Sequence, residues 1–363
     1  MKESIRKFRA VFAVVAALAL AVCCLAGCSG GSQGGSESAS AASASTASQS
    51  IDELVFAWEP GASEGKYENM RDLIAQAIQD GSGIPTETMT TTDYNVCIEA
   101  VNSGQADYAS LGAKEYVELH KKNPEVEVAW VLSNDEGELD QVSYHSQILV
   151  PADQAEQYKQ ADGTYALTKE DMEGKNMSWV ELSSTSGYVI PSIILAKDFS
   201  IADSEELGES GKFFETVLFG GSHVNSIYNM LTGDADFCAC DDTGAANNYN
   251  VIEGKNGENG ALYEIKEGLE APLDEYAGQQ LRVVASYPVP AVPFVVNTEF
   301  VPEDVNEAVI DYMTSDAVSQ NPQLFKDPGD SDTVTKWTQS TGKVRFIRAD
   351  DSYYDAFREL IGE

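Results

Sequence analysis

Beyond residue 50 the chain alternates short, wholly apolar runs with longer stretches in which apolar residues recur every three or four positions. That is the pattern of strands and amphipathic helices in an α/β fold. Leu54-Val55-Phe56-Ala57-Trp58 predicts a strand, and Met70, Leu73, Ile74, Ala77 and Ile78 then share one helical face that Gly81 is expected to stop. Asp93 is the expected N-cap of a helix through Val101, which leads into Gly104-Gln105-Ala106-Asp107-Tyr108-Ala109-Ser110-Leu111. Further on, a helix through Leu231 leads into Gly233-Asp234-Ala235-Asp236-Phe237-Cys238-Ala239-Cys240. Helix, glycine, Ala-Asp-aromatic and buried strand thus occur twice, which predicts two similarly wired α/β lobes. The apolar runs Ile148-Leu149-Val150 and Val283-Val284-Ala285 bracket the second lobe. Lobe 1 is therefore expected at 51–147 plus 288–363 and lobe 2 at 148–287, each a mixed sheet flanked by helices, with a ligand cleft between them.

The first 50 residues have a different character. Lys2, Arg6, Lys7 and Arg9 form a positive start, and Val11 to Gly27 is apolar and small, ending in Leu25-Ala26-Gly27-Cys28. This segment resembles a bacterial lipoprotein signal peptide. The resemblance implies that residues 1–27 are removed and that Cys28 becomes a lipidated N-terminus carrying palmitate-type acyl chains, held at the extracytoplasmic face of the cell membrane. The apolar run is short for a spanning helix. Residues 28–50 are almost wholly Ser, Gly, Ala and Thr after the cysteine, a composition that cannot bury enough surface to fold. They predict a flexible tether with a root-mean-square reach of about 25 Å.

Charge narrows the partners. With 59 acidic against 23 basic residues the net charge is −36, so nucleic acid is excluded, because phosphate backbones are held mainly by Lys and Arg. Three cysteines remain after the signal and the lipid site, namely Cys97, Cys238 and Cys240; an odd number gives no full disulfide framework, and they are expected as small core residues. No metal site or cofactor is expected.

The candidate chemistry lies in two strand–turn–helix junctions. Met177-Ser178-Trp179-Val180 reads as a strand feeding Glu181-Leu182-Ser183-Ser184-Thr185-Ser186-Gly187-Tyr188 and an apolar helix. Hydroxyls and free backbone N–H groups at such a helix start make an oxyanion cradle, although Ser184 or Ser186 would also serve as a plain cap. Pro191 sits awkwardly near the end of the first turn. Val217-Leu218-Phe219, Gly220-Gly221-Ser222-His223 and a helix from about Val224 repeat the geometry, with His223 placed to donate an N–H to the same anion.

Taken together, Gly104-x-Ala106-Asp107, Leu111-Gly112, Tyr116, Tyr144-x-Ser146, Ser184-Thr185-Ser186-Gly187-Tyr188-x-x-Pro191 and Gly221-Ser222-His223 resemble the PhnD family of phosphonate, phosphite and phosphate-type ABC transporter substrate-binding proteins. The resemblance implies a two-lobed type 2 periplasmic-binding-protein fold. It also implies that Ser184, Thr185, Ser186 and His223 donate to the ligand oxygens from lobe 2. Tyr94 and Tyr144 would close from lobe 1 and the hinge, with His145 as the alternative to Tyr144 if the strand register differs by one. Amine-binding relatives carry Asn-Asp-Pro where this chain reads Pro290-Ala291-Val292-Pro293, which argues for a small oxyanion or an amine-free alkylphosphonate. Asp241 or Asp242 could replace the missing carboxylate or be solvated acids. An ABC permease is the implied partner.

Rivals remain. The same fold could bind a thiamine-pyrimidine precursor or a carboxylate, or present its ligand to a membrane sensor. A hydrolase built on Ser184, His223 and Asp241 is disfavoured, because the chain has no Gly-x-Ser-x-Gly elbow and crowded hydroxyls suit binding better than a lone nucleophile. No enzyme activity is expected.

Overall fold

Alternate residues of the first strand are apolar on both sides, which suits a strand covered on both faces of a parallel sheet. In the computed structural model Leu54–Trp58 is that strand, with Val55 and Ala57 packed into one core and Leu54, Phe56 and Trp58 into another. The structure describes residues 51–60, 64–134, 136–243, 248–326, 337–338 and 342–363. The expected signal segment, Cys28 and the tether lie outside the described residues. The described residues belong to a single compact unit.

In chain order the principal elements are β1 (Leu54–Trp58), α1 (Glu64–Ser82), β2 (Thr86–Thr90), α2 (Tyr94–Asn102), β3 (Tyr108–Ser110), α3 (Ala113–Lys122) and β4 (Val126–Leu132). There follow β5 (Tyr144–Pro151), β6 (Asn176–Trp179), α4 (Ile190–Asp198), β7 (Thr216–Phe219), α5 (His223–Leu231), β8 (Phe237–Asp241), β9 (Tyr249–Glu253), β10 (Leu262–Ile265) and β11 (Gln280–Val289). The chain ends with β12 (Pro293–Asn297), α6 (Glu303–Met313), β13 (Phe346–Arg348) and α7 (Asp355–Ile361). One sheet has the order β13-β4-β12-β3-β1-β2 and the other β7-β6-β8-β5-β11-β10-β9. The two-lobed architecture of mixed sheets flanked by helices is therefore present.

The repeated sentence in the sequence has a repeated structure. β2-β1-β3 and β7-β6-β8 are both parallel triplets, each bordered by an antiparallel strand, β12 in one lobe and β5 in the other. The aspartate of each Ala-Asp-aromatic sequence does the same job. Asp107 Oδ2 accepts from Val55 N at 2.7 Å while Asp107 N donates to Val55 O at 2.8 Å. Asp236 Oδ2 accepts from Asn176 N at 2.8 Å while Asp236 N donates to Asn176 O at 2.9 Å. Each aspartate thus clamps the start of the neighbouring parallel strand, fixing the register of the lobe.

The chain changes sheets twice, between β4 and β5 (residues 133–143) and between β11 and β12 (residues 290–292). β5 and β11 are neighbours, paired from Tyr144↔Val289 onward, so the two crossings run side by side. Sheet membership thus assigns 144–147 to the second sheet, a few residues earlier than the expected division. Another expectation is corrected: α1 runs through Gly81 to Ser82, and it is Gly83, at φ 72°, that takes the left-handed position after the helix. Gly81 lies against α6, where a Cβ would come within 2.8 Å of Tyr312 Cβ. Cys97, Cys238 and Cys240 are free, buried thiols, the last two in the core beneath β8.

Candidate functional site between the lobes

Ligands of open α/β sheets bind beyond the carboxyl ends of the parallel strands. Here the ends of β1 and β3 from one lobe face those of β6 and β8 from the other, across the two turns singled out in the sequence. After β6 the chain reaches Ser184, whose Oγ accepts from Gly187 N at 3.2 Å. Thr185–Val189 then forms a π-helical turn that runs into α4, with Val189 N donating to Ser184 O and Ile190 N to Thr185 O. This wide turn accommodates Pro191. The carbonyls left without a helical donor near the proline are taken from outside, Ser186 O by Ser146 Oγ at 2.6 Å and Gly187 O by Val180 N at 3.2 Å. Gly187 is required there, since a Cβ would stand 2.3 Å from Val180 Cγ2.

The three hydroxyl residues are buried and take different directions. Ser184 lies within hydrogen-bonding reach of the Tyr94 hydroxyl, and Ser186 within reach of the Tyr144 hydroxyl. Thr185 reaches across to α3, where its Oγ1 accepts from Lys114 N at 2.9 Å and donates to Glu115 Oε2 at 3.4 Å. Tyr94 opens α2 directly after its N-cap, Asp93, whose Oδ1 accepts from Val96 N at 2.9 Å. Tyr144 opens β5 at the hinge. Burial pushes both tyrosine hydroxyls well above their ordinary range, with nearby carboxylates adding to the effect, so both remain neutral donors at physiological pH.

His223 is the first residue of α5, which Ser222 caps by accepting from Asn225 N at 3.2 Å. Its Nδ1 accepts from Asp241 N at 3.0 Å and lies 3.5 Å from Asp241 Oδ1. With Nδ1 an acceptor, the neutral ring carries its proton on Nε2, a donor fixed by the hydrogen-bond network. Asp241 is 7% exposed, accepts from Thr243 Oγ1 at 2.5 Å, and acts electrostatically on both Tyr94 and Tyr144.

Asp242 is differently engaged. Its Oδ1 accepts from His145 N at 2.8 Å and its Oδ2 lies 3.0 Å from His145 Nδ1, a contact that raises the proton affinity of that imidazole. The alternation along β5 therefore gives Tyr144 to the hydroxyl cluster and His145 to Asp242. The structure pairs Tyr94 with Ser184 and Tyr144 with Ser186, sets both tyrosines within electrostatic range of Asp241, holds His223 beside Asp241, and turns Thr185 toward the opposite lobe. Tyr116 packs inside lobe 1 and donates to Asp351 Oδ1 at 2.8 Å.

Two members of the site are absent from the sequence reading. Glu59 follows β1 and its Oε1 accepts from Gly112 N at 3.3 Å; Glu115, 1% exposed, is the third residue of α3. Burial raises the proton affinity of both carboxyls, and for Glu59 the charge of Glu115 adds to it; Glu115 is pushed up to about 8. A carboxylate at the end of the first parallel strand was a positional signal for Glu59; the Glu115 contact crosses lobes and had none. Among the described residues no group of His, Cys, Asp and Glu is arranged to hold a metal ion.

Comparison with known proteins places this geometry. The family described as "ABC transporter, phosphonate, periplasmic substrate-binding protein" matches residues 56–354. A curated relative, the phosphate-import protein PhnD of Mycolicibacterium smegmatis, is 24% identical over 193 residues, 53% of this chain and 56% of that protein. The chain thus spans little more than half the length of that relative. Among solved structures, a binding-protein component of an ABC phosphonate transporter from Pseudomonas aeruginosa superposes with a TM-score of 0.58 at 16% identity, covering 85% of each chain. PhnD1 of Prochlorococcus marinus, solved in complex with methylphosphonate, gives 0.60 at 14% identity over 85% of this chain and 97% of that one. Both share the fold.

Proposed function

This chain belongs to the periplasmic substrate-binding family of phosphonate ABC transporters, and on that premise we propose that it captures a small phosphorus oxyanion or phosphonate between its lobes and delivers it to an ABC permease. The observation that carries the reading is the pairing of buried, neutral tyrosine and serine hydroxyls where the lobes meet. Ser184 pairs with Tyr94 and Ser186 with Tyr144, and His223 is held beside Asp241. Hydrogen bonds to a charged group contribute about 1.5–3 kcal/mol each. Four or five of them reach the roughly 8 kcal/mol of micromolar binding after ordering and closure costs. Asp242 is committed to His145, and Asp241 to Thr243 and His223. The names of the relatives, one a phosphate-import protein and one complexed with methylphosphonate, support the same ligand class.

The anchor is part of the proposal: Cys28 carries lipid, and the tether lets the domain work at the outer face of the membrane. A thermal-shift panel of phosphate, phosphite, hypophosphite, methylphosphonate and 2-aminoethylphosphonate tests the ligand class. A ligand bound only by the native state raises the melting temperature by mass action, about 2.7 kcal/mol of stabilisation at a hundred times Kd. At least one member of the panel is expected to do so; a flat response across all five rules the reading out.

A further inference from the structure

We propose that closing the lobes places a proton on the buried Glu59–Glu115 carboxyl pair, so that ligand capture takes up a proton from solvent. This rests on the proposed function for the ligand that drives closure; the protonation itself is argued from the interface. Glu115 belongs to lobe 1, yet its carboxyl is covered by the lobe 2 turn, with Oε2 at 3.4 Å from Thr185 Oγ1 and Ser183 beside it. Its Oε1 is buried without a hydrogen-bond partner. A buried carboxylate oxygen with neither a donor nor a counter-ion is costly, and protonation removes the charge that makes it so. Opening the cleft would hydrate the carboxyl and release the proton.

On its own helix Glu115 has Glu118, whose carboxylate holds Lys114 Nζ at 2.8 Å, so that lysine is directed away. From the end of β1 comes Glu59, a second carboxyl beside Gly112; Arg71 of α1 donates to the Glu59 main-chain carbonyl at 3.3 Å and to Thr90 Oγ1 at 2.9 Å. From α2 come Tyr94 and Cys97, from β5 Tyr144, and from the second lobe Ser183 and Thr185, all neutral. Asp241 adds negative charge to the same two tyrosines. Among the described residues no Lys or Arg forms an ion pair with Glu59 or Glu115.

The direction in pH follows. Exposed in the open form, Glu115 has an ordinary carboxyl value of about 4.3; closed, it is pushed up to about 8. Closure is therefore favoured fully at acid pH, loses that advantage progressively as pH rises between those values, and levels off above the upper one. The proton also cancels one of the negative charges that would otherwise repel an incoming anion.

Calorimetric titration with methylphosphonate and with inorganic phosphate, in buffers of differing ionisation enthalpy, counts the protons taken up. Wild type is compared with Glu115→Gln, so that the titration of the ligand itself cancels. Near pH 7 wild type is expected to take up about one more proton per ligand than the variant, and its affinity relative to the variant to weaken by up to about tenfold per pH unit. Equal proton counts and parallel pH profiles overturn the proposal. Glu59→Gln, which leaves the contact with Thr185 in place, should shift the profile to lower pH; an unshifted profile shows that the two carboxyls are not a pair. If wild type binds neither probe, the five-ligand panel decides the transport reading, and small-angle scattering without ligand still decides this one. Acid should compact wild type and not Glu115→Gln, and a wild-type radius independent of pH refutes it.

Discussion

Tyr94 and Tyr144 show why single residues matter in a site built on neutral hydroxyls. Each presents a neutral hydroxyl from the first lobe or hinge to a serine of the second, and burial keeps each from ionising. Tyr94→Phe keeps the ring and removes one donor. Ligand affinity is expected to fall by about 10–150-fold, the equivalent of one charge-assisted hydrogen bond. Calorimetry on the variant checks this, and an unchanged Kd would place Tyr94 outside the ligand shell. The helix starts at Tyr94 and His223 were legible from short motifs, because such starts are written locally in Ser, Thr, Asp and Gly. The choice between Tyr144 and His145 was not, since a strand of alternating faces is oriented by its neighbours and not by its own residues. In the fold His145 lies against Asp242 and Tyr144 against Ser186.

At the scale of elements, the duplicated Ala-Asp-aromatic sequence is the clearest link between sequence and architecture. Its helices, glycines and strands were readable, but the clamping role of Asp107 and Asp236 was not, because each aspartate reaches a strand more than fifty residues away. Asp236→Ala leaves the Asn176 N–H without its side-chain acceptor at a part-buried strand start. Folding stability should drop by about 1–3 kcal/mol in urea titration; a change below about 0.5 kcal/mol would mean that the backbone pairing alone holds β6 to β8. The π-helical turn before α4 belongs to the same scale. The sequence posed Pro191 as a difficulty, and the fold answers it with a hydroxyl and an amide from other segments, Ser146 Oγ and Val180 N. The end of α1 at Gly83 instead of Gly81 has a comparable cause, because packing against α6 carries the helix past a residue of poor propensity.

For the whole molecule, the balance of charge works against its own ligand. A net charge of −36 surrounds a cleft proposed to take anions, so long-range repulsion slows encounter and salt relieves it. In stopped-flow measurements the association rate constant for methylphosphonate is expected to rise as ionic strength increases from about 0.01 to 0.15 M, where the screening length shortens to about 8 Å. A rate that falls with salt would indicate local positive steering that these residues do not provide. The sequence alone determined the class of fold, the duplication, the helix caps and the two donor turns, since each depends on residues within one turn or strand of each other. Only tertiary structure decided how the lobes meet. Thr185 spans from one lobe to the N-terminus of α3 in the other, and Glu59 and Glu115 come together beside Gly112, with no ion pair to either among the described residues. Contacts of that kind join distant segments through space, and the energy of a buried carboxyl depends on what covers it, which no local pattern of residues records.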